Sequence, residues 1–436
     1  MKSPHMRGHR AKRQLAYAGL IAASLMVATP FWASAQTTPT TQSVPLSLAE
    51  AMTRAGKADP TVTATNRRLA AADANIRQAG VRPNPTVGID AENFLGSNPY
   101  NGLNSAEFTL TYQQEMERKS KRQARVGAAA AEKELVRAEG RARTWEAMNT
   151  AQSLWIEAVA AEAEIGVARE RLRLAEQSHA EISRRVSAAR DPLFAGSLSD
   201  TEVANAKIAV DQAEAKARQL KLQLAALWGG GADFTLDAAS LENTSALNAE
   251  PNLMETPDIE ALRARQRAST AQIRVETTRR VQDPTFSAGI RYFREDGSAA
   301  FLVGGSIPLN RFNNNQGNID RTRAEAEAAS ADIEVAERFR ERDIAASTIR
   351  MNNLAQEAKR IEAEVIPQAE KAVSQVREGF ARGGFTYRDV IGAQQTLIEA
   401  KARRVEVLKS FQVEKAGRDR LAGQWVPLIP TDSTNP

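Results

Sequence analysis

The chain has 436 residues, 58 of them basic and 53 acidic, a formal net charge of +5 and no cysteine. The absent cysteine excludes disulfides, thiolate metal sites, cysteine nucleophiles and a lipidated N-terminal cysteine. There are three histidines (His5, His9 and His179), and no GxSxG, HExxH, phosphate-binding loop or dinucleotide fingerprint occurs. The sequence therefore offers catalysis nothing to work with, and neither a cofactor nor a metal site is expected.

The chain opens with Lys2, Arg7, Arg10, Lys12 and Arg13 and no acid. The apolar run Leu15 to Val27 follows, shorter than the ~18 residues a membrane span needs. Ala33-Ser34-Ala35 is a small-residue cleavage site. That order predicts a signal peptide over 1–35, removed after Ala35. The 58 basic residues less these five leave 53, facing 53 acids, so the exported chain is neutral. Overall charge then gives no reason to expect a nucleic-acid partner.

An internal repeat organises the rest. Pro85-Thr86-Val87-Gly88-Ile89 has a partner in Pro284-Thr285-Phe286-Ser287-Ala288-Gly289-Ile290, and Asp200 to Ala206 has one in Tyr387 to Ala393. The halves are read as 36–230 and 257–425, joined by a linker over 231–256 and followed by a tail over 426–436. Each half carries a short helical stretch, a β-hairpin (about 85–114 and 284–309) and a long helical hairpin (115–228 and 316–425).

The hairpins alternate apolar and polar residues: Val87, Ile89 and Ala91 against Thr86, Gly88 and Asp90, and Phe286, Ala288, Ile290 and Tyr292 against Ser287, Gly289 and Arg291. Strands of about ten residues with that dyad suit a membrane barrel. Nine of the 23 aromatics fall in 85–114 and 284–312, as interfacial girdles would. Residues 115–190 contain no proline and are rich in Ala, Glu, Arg and Leu. Leu172, Ala175, His179, Ile182 and Val186 mark a coiled-coil seam, as do Leu354, Ala358, Ile361 and Val365. The Arg-rich faces, Arg169, Arg171, Arg173, Arg184 and Arg185, read as solvated, and Trp145 and Trp155 as packing anchors. Four strands cannot close a barrel alone, but three copies would make twelve.

The fold class that follows is mostly α with a membrane β part. Duplicated coiled-coil hairpins would build a trimeric α-barrel, and four strands per protomer a 12-stranded β-barrel. This pattern resembles the TolC-like outer-membrane factors of tripartite efflux pumps over nearly the whole exported chain. Two motifs carry the resemblance to the heavy-metal, cobalt–zinc–cadmium type: Tyr112-Gln113-Gln114-Glu115-Met116-Glu117-Arg118-Lys119-Ser120-Lys121-Arg122, and Ile307-Pro308-Leu309 with Asn315-Gln316-Gly317-Asn318-Ile319.

The resemblance implies a homotrimer in outer-membrane lipid that reaches into the periplasm. It also implies a periplasmic adaptor docked at the helix-hairpin tips and an inner-membrane transporter of the RND type. The tips are expected over Asp191 to Leu198 and Gly379 to Phe385, with Arg190, Asp191, Gly196, Arg382, Gly383, Gly384 and Phe385 as docking residues. Asp389 matches a family gate acid and Glu202 is read as its equivalent in the first half; three copies of each would ring the aperture and select cations. The plainer role for both is as helix N-terminal acids, and for His179 a packed residue. Competing readings are a drug channel of the same family, a periplasmic adaptor and a coiled-coil adhesin.

Overall fold

The computed structural model describes residues 45–244 and 253–430. The signal-peptide expectation, with its cleavage at Ala35, lies outside these residues. Those described belong to one compact unit, 43–436. Its elements are α1 (Leu48–Ala58), α2 (Pro60–Ala79), β1 (Thr86–Glu92), β2 (Glu107–Glu115), α3 (Lys119–Ser187), α4 (Leu193–Ala226), α5 (Pro257–Arg279), β3 (Thr285–Phe293), β4 (Ala299–Ser306), α6 (Gln316–Arg360), α7 (Ile366–Ala381) and α8 (Tyr387–Ala422). The chain is mostly helical, and the order helix, hairpin, long helix, returning helix occurs twice.

The 69 residues of α3, at ~1.5 Å each, make a rod of roughly 100 Å. Its Ala, Glu, Arg and Leu content favours the helix along its length. α1 starts where the Ser47 hydroxyl accepts the Glu50 N–H. α2 and α5 start on Asp59-Pro60 and Thr256-Pro257, each with proline in its first turn. Midway along the rods lies the largest core, with Trp155, Ile156, Leu224, Leu236, Ile361, Val407 and Leu408 buried together. The Trp155 indole donates to the Leu46 carbonyl at 3.0 Å. A second cluster packs Trp145 against Met52, Met148 and Ile429, so both tryptophans anchor packing.

The second long rod is interrupted. Ile361–Val365 form a π-turn, closed by the Ile366 N–H on the Ile361 carbonyl. Pro367 causes it, since its nitrogen has no hydrogen to donate and its ring would strike the carbonyl of Ala363. Alternation and seam spacing give no hint of this break. In α3 the buried line runs through Leu174, Ala175, Ser178 and Ile182, while Leu172, His179 and Val186 are only half-buried.

The four strands form one antiparallel sheet in the order β1-β2-β3-β4. The register sets Ile89, Leu110, Ile290 and Phe301 in one row and Val87, Tyr112, Ala288 and Val303 in the next. All but Ala288 are large side chains exposed on one continuous apolar face. The other face carries Asp90, Thr109, Thr111, Ser287 and Arg291. The strands are seven to nine residues long, shorter than the expected ten. β1 stops at Glu92 because Asn93 turns to φ 59°.

Buried polar contacts join sheet to helices. The Asp283 carboxylate accepts the Arg118 N–H at 3.1 Å and pairs with Lys121 at 2.6 Å, with its own side chain only 4% exposed. Glu117 pairs with Arg125, and the Arg125 guanidinium also donates to the Val81 carbonyl. Asn315 donates to the buried Glu276 carboxylate at 2.9 Å. Removing one partner of such a pair strands the other. Asp283→Ala is expected to cost about 3 kcal/mol and lower the chemical-denaturation midpoint, whereas Arg338→Ala, an exposed pair, leaves it unchanged.

Candidate functional site

The end of the helical hairpins away from the sheet holds the sequence-predicted tip. α3 ends in a Schellman motif: the Arg190 N–H reaches the Arg185 carbonyl at 2.8 Å and the Ala189 N–H reaches Val186 at 3.0 Å. Ala189 takes the left-handed position, φ 54°, normally given to glycine. α7 ends the same way, with Gly383 at φ 83° and the Gly384 N–H on the Gly379 carbonyl at 2.8 Å.

The structure corrects the expected bounds of both turns. The first spans 188–192, and Gly196 lies inside α4, because Pro192 caps the new helix and Ala189 has already reversed the chain. It is compact, not extended. The second spans 382–386. Gly379 is the third-last residue of α7, where a Cβ would collide with the Phe385 ring.

Arg185 ties these turns together. It chelates Asp191 at 2.6 and 3.2 Å and donates to the Phe380 and Ala381 carbonyls at 2.8 and 3.3 Å. Its guanidinium carbon lies 4.4 Å from the Phe380 ring centroid. The carboxylate beside it raises its pKa. Arg185 was expected on a solvated face; its side chain is instead 14% exposed. Sequence reasoning missed it because its partners lie 6 and 195 residues away. Around it Ile182, Ala195, Phe380, Tyr387 and Val390 form a small core.

The two candidate gate acids are not equivalent. Asp389 is the third residue of α8 and closes a capping box: its carboxylate accepts the Thr386 N–H at 2.8 Å and hydroxyl at 2.7 Å. The Thr386 hydrogen bonds hold its pKa below the ordinary carboxylate value. Glu202 is the tenth residue of α4, seven positions further from its helix start, or ~10 Å deeper. Helix-dipole stabilisation therefore suits Asp389 and not Glu202. Glu202 pairs with Arg171 at 2.8 Å beside a cleft that Gln394, Gln395 and Glu399 also line.

Tyr387 lies close enough to feel that charge. Burial first and the Glu202 carboxylate second push its phenol up to about 12. Arg190, Gly384 and Arg382 are exposed, the last paired with Glu378 at 3.3 Å, and Asp191 is held by Arg185. Phe385 is 48% exposed. Leu193 and Phe194, 82% and 70% exposed, are the tip's most prominent apolar groups and were not singled out from the sequence. His179 contacts Ser199 at 3.1 Å and Asp200 at 3.3 Å. Among the described residues no group of three or more His, Asp or Glu is placed to hold a metal ion, and no helix is long and apolar enough to cross a membrane.

A sheet apolar on one face, continued by paired rods of this length, defines a membrane-channel class of protein. The family model described as outer membrane efflux protein matches residues 52–228 and 251–423. The chain belongs to that family, whose members are non-enzymatic outer membrane efflux channels of TolC-like fold. It is 27% identical over 401 residues to the cobalt-zinc-cadmium resistance protein CzcC of Cupriavidus metallidurans, covering 87% of this chain and 90% of that one. To the nickel and cobalt resistance protein CnrC of the same organism it is 30% identical over 282 residues, covering 62% and 65%. The outer membrane protein VceC of Vibrio cholerae shares the fold with a TM-score of 0.66 at 21% identity, covering 86% of this chain and 96% of that one.

Two outcomes follow at the tip. Arg185→Ala is expected to speed amide exchange across 379–386 more than tenfold, while the middle of α3 stays protected. Tyr387 is an acid whose folded pKa lies above its ordinary value of 10. Its contribution is therefore complete below pH 10 and is lost as pH rises towards 12. Tip protection should fall across that window, and Tyr387→Phe should abolish the loss.

Proposed function

We propose that three copies of the chain close into one duct, with twelve strands in the outer membrane and the helices extending through the periplasm. The observation that carries this is a pair of open edges that run the length of the chain. β1 and β4 end the sheet. α2 and α4 pack chiefly on α3, while α6 packs on α5 and α8 and continues into α7. One edge is thus β1, α2 and α4, and the other is β4, α6 and α7. α4 exposes Ile208 and Leu222, and α6 exposes Val335, Phe339 and Ile349. Two different complementary edges make a head-to-tail contact, which closes a ring when the rotation fits.

The cargo we propose is heavy-metal cations, passed passively from an inner-membrane transporter of the RND type. The names of the matched resistance proteins support it. A periplasmic adaptor would dock on the tip at Leu193, Phe194, Phe385 and the exposed glycines and arginines beside them. The exported chain would begin at Gln36, and its halves, 36–230 and 257–425, would descend from one duplicated unit.

Deleting the gene should sensitise cells to zinc, cobalt, cadmium or nickel, with little change towards dyes and antibiotics. Sensitivity confined to organic compounds would overturn the metal assignment. Heat-resistant trimers from the outer-membrane fraction are expected on gels. In planar bilayers, Asp389→Ala with Glu202→Ala should weaken block by divalent cations, and unchanged block would remove both acids from the gate.

A further inference from the structure

At the end of the sheet away from the helices, the polar face carries one base among several acids. Register puts Asp90, Thr109 and Arg291 in one row and Glu92 directly opposite Glu107 in the next. Like charges facing each other across strands repel. Arg291 spans both: Nη1 reaches Glu107 at 2.9 Å, Nη2 reaches Glu92 at 3.1 Å and Nε donates to the Thr109 hydroxyl at 3.0 Å. Asn93 also donates to Glu107 at 2.8 Å. Within the four strands Arg291 is the single basic residue, and the apolar face has no charge at all.

We infer that Arg291 is a specificity-determining residue of the outer mouth: it clamps β1, β2 and β3 together while cancelling only part of the acidic charge, so that the mouth admits cations in preference to anions. Three carboxylates against one guanidinium leave a formal −2 per chain, and −6 for three copies. No ion is held here; the groups act through their summed field, as charge rings in channels do. The inference rests on the channel reading above, with the polar face turned to the lumen. It locates discrimination at the end opposite the tip, where the acids Asp389 and Glu202 lie.

The chain has no cysteine, so Thr111→Cys gives a unique thiol on the same face, one row nearer the helices than Thr109. Full-length protein in lipid vesicles would be treated with a cationic trimethylammonium and an anionic sulfonate methanethiosulfonate of equal size. The ratio of their rates, normalised to a free thiol, reports the local potential and does not depend on the state of the tip. The cationic reagent should react faster. Adding Arg291→Gln should raise the ratio roughly two- to fourfold, as expected for removing one charge at about 10 Å in screened water. Glu92→Gln or Glu107→Gln should lower it by a similar factor, and Arg291→Lys should leave it near the parent value.

If Arg291→Gln fails to assemble, the two glutamate variants decide alone. A reactive thiol with the same ratio in every variant overturns the inference and leaves the channel intact. A thiol that neither reagent reaches means the polar face does not line water, and then the channel reading fails together with the inference.

Discussion

A strand edge in hydrocarbon has nowhere to send its backbone hydrogen bonds, and each unpaired group costs several kcal/mol. β1 and β4 are such edges, on a sheet whose apolar face is exposed. The helices repeat the condition in milder form, since their outer rods leave valine, phenylalanine and isoleucine uncovered. Water would tolerate those side chains singly. Lined up along the same two margins as the strand edges, they describe one continuous seam.

The buried ion pairs around Asp283 and Glu117 sit where the sheet meets the rods. Such pairs contribute little net stability compared with apolar packing, but they are strict about geometry. That suits a joint that must hold a sheet and a set of helices in fixed register. The tip is built differently. Its two turns share one backbone motif, and a single guanidinium spans them, so one contact from α3 governs how α7 ends.

Much of this was legible from residues. Alternation from Thr86 and from Thr285 gave the hairpins and which face is apolar, because period-two patterning maps directly onto a pleated strand. The proline-free, alanine-rich run 115–190 gave the first rod, and the seam spacing from Leu354 gave the second. Other features stayed hidden. Ala189 occupies a position where glycine is expected, so the first turn looked longer than it is. The sequence match of Asp389 with Glu202 put two acids in one ring, whereas counting from the helix starts sets them seven residues apart. Arg185 looked like one more surface arginine because the Phe380 and Ala381 carbonyls that it holds come from another hairpin. Tyr387 drew no notice, since its neighbour Glu202 lies on a different helix.

The π-turn at Ile361–Val365 has a geometric effect beyond accommodating Pro367. One residue inserted into a helix of 3.6 residues per turn rotates everything beyond it by about 100°. Above the turn, α6 packs on α5 and α8; below it, α7 packs on α8 and meets Leu174, Ile182 and Arg185 of α3. The extra residue is thus a phase correction, letting one rod of uniform composition address two different sets of neighbours. The lower rod can keep its own apolar stripe, Ala369, Val373 and Phe380, without matching the one above.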